Sequence, residues 1–120
     1  MRPPQIRDQG GVLLITLDDP AAINDGMSSI LRQPIYQAVL DRIAPRVAVD
    51  LSLIDYLSSS GIATLIGIRR RVDQANGQLV LFQVHSDVRD LLASMRLASL
   101  FQIAANQDEA LELLPPVPEA

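Results

Sequence analysis

Apolar residues follow two different periods in the middle of the chain, and the period changes at a run of serines. In residues 47–53 larger apolar side chains occupy every second position, which predicts a strand with at least one buried face: Val47, Val49, Leu51 and Leu53. Afterwards the apolar positions recur at intervals of three and four, which predicts a helix that packs one face on a core: Ile62, Leu65, Ile66, Val72 and the aliphatic stem of Arg69. The residues between them, Ser-Ser-Ser-Gly at 58–61, are where we look first for a functional site.

This serine run has the composition of a helix N-terminus. A serine side chain accepts a hydrogen bond from one of the backbone N–H groups that a helix leaves unpaired in its first turn. Gly61 ends the run and, because it has no side chain, allows a close turn of the backbone. Residues 58–61 therefore predict a tight junction between the strand and the central helix.

The chain before this junction predicts a hairpin, a loop and one helix. Residues 1–5 hold two prolines and predict a loose lead-in, and a strand near Ile6, the pair Gly10-Gly11 and the apolar run at 12–17 predict two hairpin strands.

Residues 18–26 are rich in turn formers and predict a loop. Pro34 interrupts the helical pattern that follows, and an internal proline costs a helix about 3 kcal/mol. We therefore expect a regular helix only over 34–43, with a separate short turn at 27–33.

The chain after the central helix predicts two more strand and helix pairs. Asn76-Gly77 is a helix stop, since both residues tolerate a left-handed backbone, and residues 79–84 form a buried apolar run. Ser86 and Asp87 are expected to cap a helix that extends through Met95.

The C-terminal part predicts a short edge strand within 97–103 and a last helix over 109–114. Asn106, three residues before Glu109, resembles a capping box for that helix. Three prolines follow, so residues 115–120 are predicted to be a disordered tail.

This order of elements predicts an α/β fold in a single domain, residues 1–114. Strands that alternate with helices pair in parallel under right-handed crossovers, while the initial hairpin is antiparallel. We expect a mixed, mostly parallel β-sheet with helices packed mainly on one face. The strands at 47–53 and 79–84 should be adjacent and parallel, with the helices that follow them on the same face.

Composition and charge narrow the function. Aromatic residues make up 3% of the chain and the net charge is −4, which argues against a nucleic-acid partner. Cysteine is absent and His85 is the only histidine, so we expect no metal site and no cofactor. The N-terminal residues lack an apolar signal segment, and no stretch is long enough to span a membrane. We expect a cytoplasmic protein without a membrane partner.

A series of short motifs has the order found in a known family. There, a strand with an acidic and a small polar residue leads through an apolar pair to Asp-Ser-Ser-Gly and a helix, and the matching residues here are 49–52, 56–57, 58–61 and 62–65. The match continues at 76–81, 84–89, 97–101 and 108–111. Residues 46–114 therefore resemble the STAS domain, named for sulphate transporters and anti-sigma factor antagonists, and are most similar to its stand-alone bacterial antagonists. Residues 1–45 resemble it in element order.

The resemblance implies a regulatory protein that acts by binding. In the family, a kinase-type anti-sigma factor phosphorylates the serine after the acidic position, which corresponds to Ser59 here. The implied function is that of an anti-sigma factor antagonist, which regulates transcription by binding an anti-sigma factor serine kinase. Phosphorylation switches it off and a PP2C-type phosphatase resets it. The implied partner-binding residues surround the same junction: Ser58, Ser60, Gly61, Ile62 and Thr64.

Two positions depart from the family pattern. Ser58 stands where the family has an acidic residue, and Asp18-Asp19-Pro20 replaces the usual Gly-Glu-Leu-Asp after the second strand. Asp50 and Asp55 are the candidates for a compensating carboxylate. A phosphate at Ser59 would still meet the free N–H groups and the positive dipole at the start of the central helix.

Three alternatives remain open from the sequence. All three serines could serve only to cap the helix. The chain could be a non-phosphorylated STAS scaffold subunit of a signalling complex or of a lipid-transport ATPase. The third alternative is a small acyl-CoA-related enzyme, because residues 15–24 faintly resemble the start of acyl-CoA hydratase-like chains. No nucleophile and base are suitably spaced for it, so we expect no enzyme activity. We expect a monomer or a weak dimer.

Overall fold

A computed structural model describes residues 3–24 and 29–115 of the chain. Within these ranges the elements are β1 (Gln5–Gln9), β2 (Val12–Thr16), α1 (Pro20–Asn24), α2 (Ser29–Leu40), β3 (Arg46–Asp50), α3 (Ser59–Gln74), β4 (Gln78–Phe82), α4 (Ser86–Ser94), a short 3₁₀ helix (Ala98–Leu100), β5 (Gln102–Ala104) and α5 (Gln107–Glu112). The strands form a single sheet in the order β1-β2-β3-β4-β5.

The sheet is mixed, as the sequence predicts. The first two strands are antiparallel and are joined at Gly10 and Gly11, whose φ angles of 61° and 86° suit glycine. The other neighbours pair in parallel, with Leu13 opposite Val47 and Val47 opposite Leu79. The predicted hairpin and the adjacent parallel strands β3 and β4 are confirmed.

The two faces of the sheet carry cores of different size. Because side chains alternate along a strand, odd-numbered positions of β2 and β3 face the larger core and even-numbered positions face the smaller one. The larger core joins the sheet to α2, α3 and α4 through Ile35, Val39, Leu65, Ile68, Val72, Val88 and Leu92. The smaller core lies under α5, which contributes Ala110 and is followed by Leu114. Both α3 and α4 therefore pack on the same face, as predicted.

The two central strands are shorter than the apolar runs suggest. Strand β3 ends at Asp50 rather than at residue 53, because the chain turns when Ile54 donates its N–H to the carbonyl of Leu51. Strand β4 ends at Phe82 rather than at residue 84, because Gln83 has a φ of 53°, which lies outside the β region.

Residues 20–24 form the helix α1, so the prediction of an unbroken loop over 18–26 is wrong for these residues. Proline is favourable at the first position of a helix, where its missing N–H has no partner to lose. Ile23 is 1% exposed and packs in the larger core, and its burial stabilises the short helix. Residues 25 and 26 lie outside the described ranges.

Helix α2 runs through Pro34 without a break, so the predicted division at this residue is wrong. The helix loses the hydrogen bond that Pro34 cannot donate. Ile35 and Val39, which lie one helical turn apart, bury their side chains in the larger core, and this burial offsets the loss. The helix ends at Leu40 instead of residue 43, and Ala44 turns with a φ of 47°.

The predicted stop after α3 and the predicted cap of the last helix are confirmed, whereas the predicted cap of α4 is shifted by one residue. Asn76 follows α3 with a φ of 58°, and Asn106 accepts a hydrogen bond from the N–H of Glu109 at 2.9 Å, although α5 begins at Gln107 rather than at 109. Helix α4 is preceded by His85, so Ser86 is its first residue and not its cap. Residues 116–120 of the predicted tail lie outside the described ranges.

Candidate functional site at the start of the central helix

Ser58 is the residue that caps α3, as the serine run predicts. Its backbone is extended, and its Oγ accepts a hydrogen bond from the N–H of Gly61 at 3.2 Å. The same hydroxyl donates to the backbone carbonyl of Asn24 at 2.7 Å. Ser58 therefore uses its hydroxyl both as an acceptor and as a donor, which a carboxylate at this position would not do.

The side chain of Asn24, at the end of α1, holds the loop that enters α3. Its Nδ2 donates to the carbonyl of Tyr56 at 2.9 Å, and its Oδ1 accepts from the N–H of Ser58 at 2.8 Å. Asn24 is only 9% exposed, so these bonds satisfy a polar group that would be costly to bury unpaired. Together with the bond from the Ser58 hydroxyl, they fix the position of the residues immediately before the helix.

Gly61 is required for this close approach and not for a turn. It lies buried inside the first turn of α3, and its φ is not among the positive ones. A Cβ at this position would overlap Oδ1 of Asn24 and would come within 3.1 Å of Cδ2 of Leu57. The predicted role of Gly61 in bending the backbone is therefore corrected, since the residue makes room for Asn24.

The other two serines differ in their surroundings. Ser59 is the first residue of α3 and is exposed. Ser60 is half-buried, and its Oγ accepts a hydrogen bond from Nη2 of Arg32 at 2.7 Å. The carbonyl of Ser60 accepts a bond from Oγ1 of Thr64 at 2.9 Å. Of the three serines, Ser59 is the one that presents itself to solvent.

The remaining predicted partner-binding residues face inward. Thr64 is 1% exposed, and Ile62 is half-buried against the larger core. The predicted apolar face of α3 is confirmed at Leu65 and Val72, which are buried. Ile62 and Ile66 are only partly buried against the core, and the buried face also includes Thr64 and Ile68. In this structure Gly61 and Thr64 shape the surface from beneath, and they do not form part of it.

Sequence reasoning missed two residues of the site and gave two others no binding role. Asn24 and Arg32 reach it from other helices, and neither lies in the motifs that carry the resemblance to the STAS domain. Leu53 and Tyr56, in the loop between β3 and α3, are 52% and 57% exposed. The alternating pattern around Leu53 predicted a position in a strand, and its exposure could be seen only in the folded chain. Exposed large apolar residues that lie together indicate an interaction surface.

The candidate carboxylates near the site have local roles or face solvent. Oδ1 of Asp50 accepts a hydrogen bond from the N–H of Ser52 at 2.9 Å, and Asp55 is exposed. His85 contacts the same turn, with Nε2 at 2.7 Å from the carbonyl oxygen of Ser52.

The described ranges contain no group of three His, Cys, Asp or Glu side chains that could hold a metal ion. Among their helices, none has the length and apolar character needed to cross a membrane.

The chain matches a known family over most of its length. The model of the STAS domain matches residues 3–110, which is most of the sequence. The chain belongs to the STAS domain family. The match includes residues 1–45 in part, where the motifs alone showed only a shared order of elements.

One relative of this STAS domain is BtrV of Bordetella bronchiseptica, which carries the name of an anti-sigma factor antagonist. The two are 30% identical over 73 residues, or 61% of this chain and 63% of BtrV, so less than two thirds of BtrV is matched.

Two solved structures share the fold of this STAS domain. An anti-sigma-factor antagonist (STAS) domain protein from Planctomyces limnophilus superimposes with a TM-score of 0.82 at 17% identity, over 93% of this chain and 97% of that one. The phosphorylated form of the Bacillus cell fate determinant SpoIIAA gives a TM-score of 0.66 at 17% identity, over 92% and 97% of the two chains.

Proposed function

We propose that this STAS domain is an anti-sigma factor antagonist whose binding to a kinase-type anti-sigma factor ends when Ser59 is phosphorylated. The observation that carries the proposal is the exposed position of Ser59 at the start of α3, directly after a loop that Asn24 and Ser58 hold in place. The name of BtrV supports the antagonist function, and the phosphorylated form of SpoIIAA supports a role for phosphorylation in proteins of this fold. The protein acts in the cytoplasm by binding and not by catalysis.

Phosphorylation at this position has a direct physical effect on binding. A phosphoserine carries a charge of about −1.5 to −2 near neutral pH. The N–H groups of the first helical turn and the positive end of the helix dipole stabilise this charge in the free protein. In a complex, the same charge would need to be desolvated against the partner, which weakens binding. A PP2C-type phosphatase restores the binding form by removing it.

The proposed binding surface extends from Ser59 to the exposed loop before it. Leu53 and Tyr56 present large apolar side chains within six residues of Ser59 in the sequence. Aromatic and apolar side chains that lose water on binding contribute most of the affinity of a typical interface. Ser58 and Ser60 form the half-buried rim of this surface, while Gly61, Ile62 and Thr64 support it from within.

Labelling with the candidate kinase tests the proposal. Incubation of the chain with the anti-sigma factor and ATP should add one phosphoryl group, and peptide mapping by mass spectrometry should place it on Ser59. Ser59→Ala should abolish labelling and preserve the fold, because Ser58 still caps α3. Labelling that persists in Ser59→Ala, with the phosphoryl group on Ser58 or Ser60, would show that the assignment is wrong by one residue.

A second candidate is a non-phosphorylated scaffold subunit in a signalling complex or a lipid-transport ATPase. The observation in its favour is Ser58, which stands where the family has an acid and spends its hydroxyl on Asn24 and Gly61. A stable complex with a partner that transfers no phosphoryl group to the chain would support this candidate over the switch.

A further inference from the structure

Arg32 connects α2 to the first turn of α3 at the serine run. Its Nη2 donates to Oγ of Ser60 at 2.7 Å, across 28 residues of sequence. Its Nε is buried and has no acceptor within the described part of the chain. A buried donor without a partner costs about 1–3 kcal/mol, and more when it belongs to a charged group. The guanidinium therefore has unused hydrogen-bonding capacity while it is bound to Ser60, the residue that follows the exposed Ser59.

A phosphoryl group on Ser59 would provide acceptor oxygens for the N–H donors of the Arg32 guanidinium. Ser59 and Ser60 are consecutive residues, and consecutive Cα atoms lie about 3.8 Å apart. A phosphoryl group presents three acceptor oxygens, whereas the Ser60 hydroxyl presents one oxygen to Arg32. The planar guanidinium matches phosphate oxygens with two parallel hydrogen bonds, which are stronger than a bond to a neutral hydroxyl.

We propose that Arg32 is the phosphate-binding residue of this STAS domain, and that its guanidinium turns from the Ser60 hydroxyl to the phosphoryl oxygens of phosphorylated Ser59. The contact neutralises part of the new charge and holds it against the start of α3. The unphosphorylated protein keeps Arg32 in place through Ser60. This inference rests on the proposed function only in naming Ser59 as the phosphorylated residue.

The test does not need a kinase. Phosphoserine is incorporated at position 59 during synthesis of the full chain, and its second ionisation is followed by ³¹P NMR. An ion pair at a partly exposed site contributes about 0.2–1 kcal/mol, so Arg32→Gln should raise the proton affinity of the phosphate by about 1.5-fold to fivefold. The matched control is Arg70→Gln, since Arg70 is an exposed arginine further along α3. Arg70→Gln should leave the titration unchanged.

Two results would overturn the proposal. One is the same phosphate titration in the wild-type chain and in Arg32→Gln. The other comes from the wild-type chain alone and covers the case in which Arg32→Gln does not fold: phosphorylation should shift the guanidinium resonances of Arg32 and give hydrogen-bond couplings to phosphorus, and their absence overturns it. A chain that shows these couplings but that no anti-sigma factor kinase phosphorylates would retain the phosphate site and lose the proposed function.

Discussion

Oδ1 of Asn24 occupies the space that a side chain at Gly61 would need. The same oxygen accepts the N–H of Ser58 at 2.8 Å, so the glycine and the asparagine together set the entry of the chain into α3. Although alanine favours a helix over glycine by about 1 kcal/mol, Gly61→Ala should lower the free energy of unfolding by about 1–3 kcal/mol. Urea unfolding followed by circular dichroism measures the change.

A double-mutant cycle checks that Asn24 is the cause. In an Asn24→Ala chain the obstacle is gone, so adding Gly61→Ala should cost little or should stabilise the helix. An equal cost of Gly61→Ala in both backgrounds would instead assign the strain to Leu57, whose Cδ2 would lie 3.1 Å from the Cβ of the new alanine.

Ser58 should tolerate asparagine better than aspartate, although the family has an acid here. Asparagine offers both an acceptor for Gly61 and a donor for the carbonyl of Asn24, and a carboxylate offers only the acceptor. Ser58→Asp would also place a negative charge close to the carbonyl oxygen of Asn24, which now accepts a hydrogen bond from the Ser58 hydroxyl at 2.7 Å. We expect Ser58→Asp to be less stable than Ser58→Asn by about 1–3 kcal/mol at pH 7. Equal unfolding midpoints in urea for Ser58→Asp and Ser58→Asn would contradict the role of the Ser58 hydroxyl as a hydrogen-bond donor.

These contacts explain which parts of the molecule could be predicted from the sequence. Strand β3 and helix α3 were predictable because their apolar periods are local, and Ser58 was predictable because capping joins residues three apart. Helix α1 was missed because the burial of Ile23 in the core stabilises it, and no local signal reports that burial.

Only part of the site could be predicted, because contacts between residues far apart in the sequence leave no local signal. Asn24 meets Ser58 across 34 residues and Arg32 meets Ser60 across 28, and the fold alone brings these pairs together. The motif at 58–61 identified the place but did not reveal that Gly61 and Thr64 lie beneath its surface.

The exposed loop before α3 should contribute to partner binding. If the proposed partner is correct, Leu53→Ser should weaken binding to the anti-sigma factor by about fivefold or more, since truncating an apolar side chain that loses water in an interface often costs over 1 kcal/mol. Leu40→Ser is a matched control, because Leu40 is 51% exposed against 52% for Leu53 and lies at the end of α2. Titration calorimetry measures both. Equal losses for the two variants would remove Leu53 from the proposed surface.

Asp8 should make the stability of the hairpin depend on pH. The N–H of Gly11 and then the guanidinium of Arg42 hold the pKa of the Asp8 carboxyl below its ordinary value, and each lies 2.9 Å from it. Because the folded chain has the lower pKa, the contribution of Asp8 is complete above the unfolded pKa of about 3.9 and is lost as the pH falls through the folded value. Asp8→Asn should therefore reduce stability at pH 7 and have a smaller effect near pH 2. A difference that does not change with pH in urea unfolding would argue against an ionic role.

The proposed switch predicts that negative charge at position 59 acts on binding and not on the fold. Ser59 is exposed at the first position of α3, where a carboxylate is favoured by the helix dipole, so Ser59→Asp should leave the free energy of unfolding unchanged or slightly raised. Affinity for the anti-sigma factor should fall by about thirtyfold, since burying an unpaired charge in an interface costs about 2 kcal/mol or more.

Ser99→Asp provides the control, because Ser99 is also exposed and lies in the 3₁₀ helix before β5. At physiological salt, charges separated by more than about 8 Å are largely screened, so a charge at Ser99 should affect binding only if the partner contacts that segment. Titration calorimetry with wild type, Ser59→Asp and Ser99→Asp separates the cases. A loss confined to Ser59→Asp supports the phosphoswitch. Equal affinity for wild type and Ser59→Asp would argue against it and favour the non-phosphorylated scaffold, because the partner would then tolerate a negative charge at the start of α3.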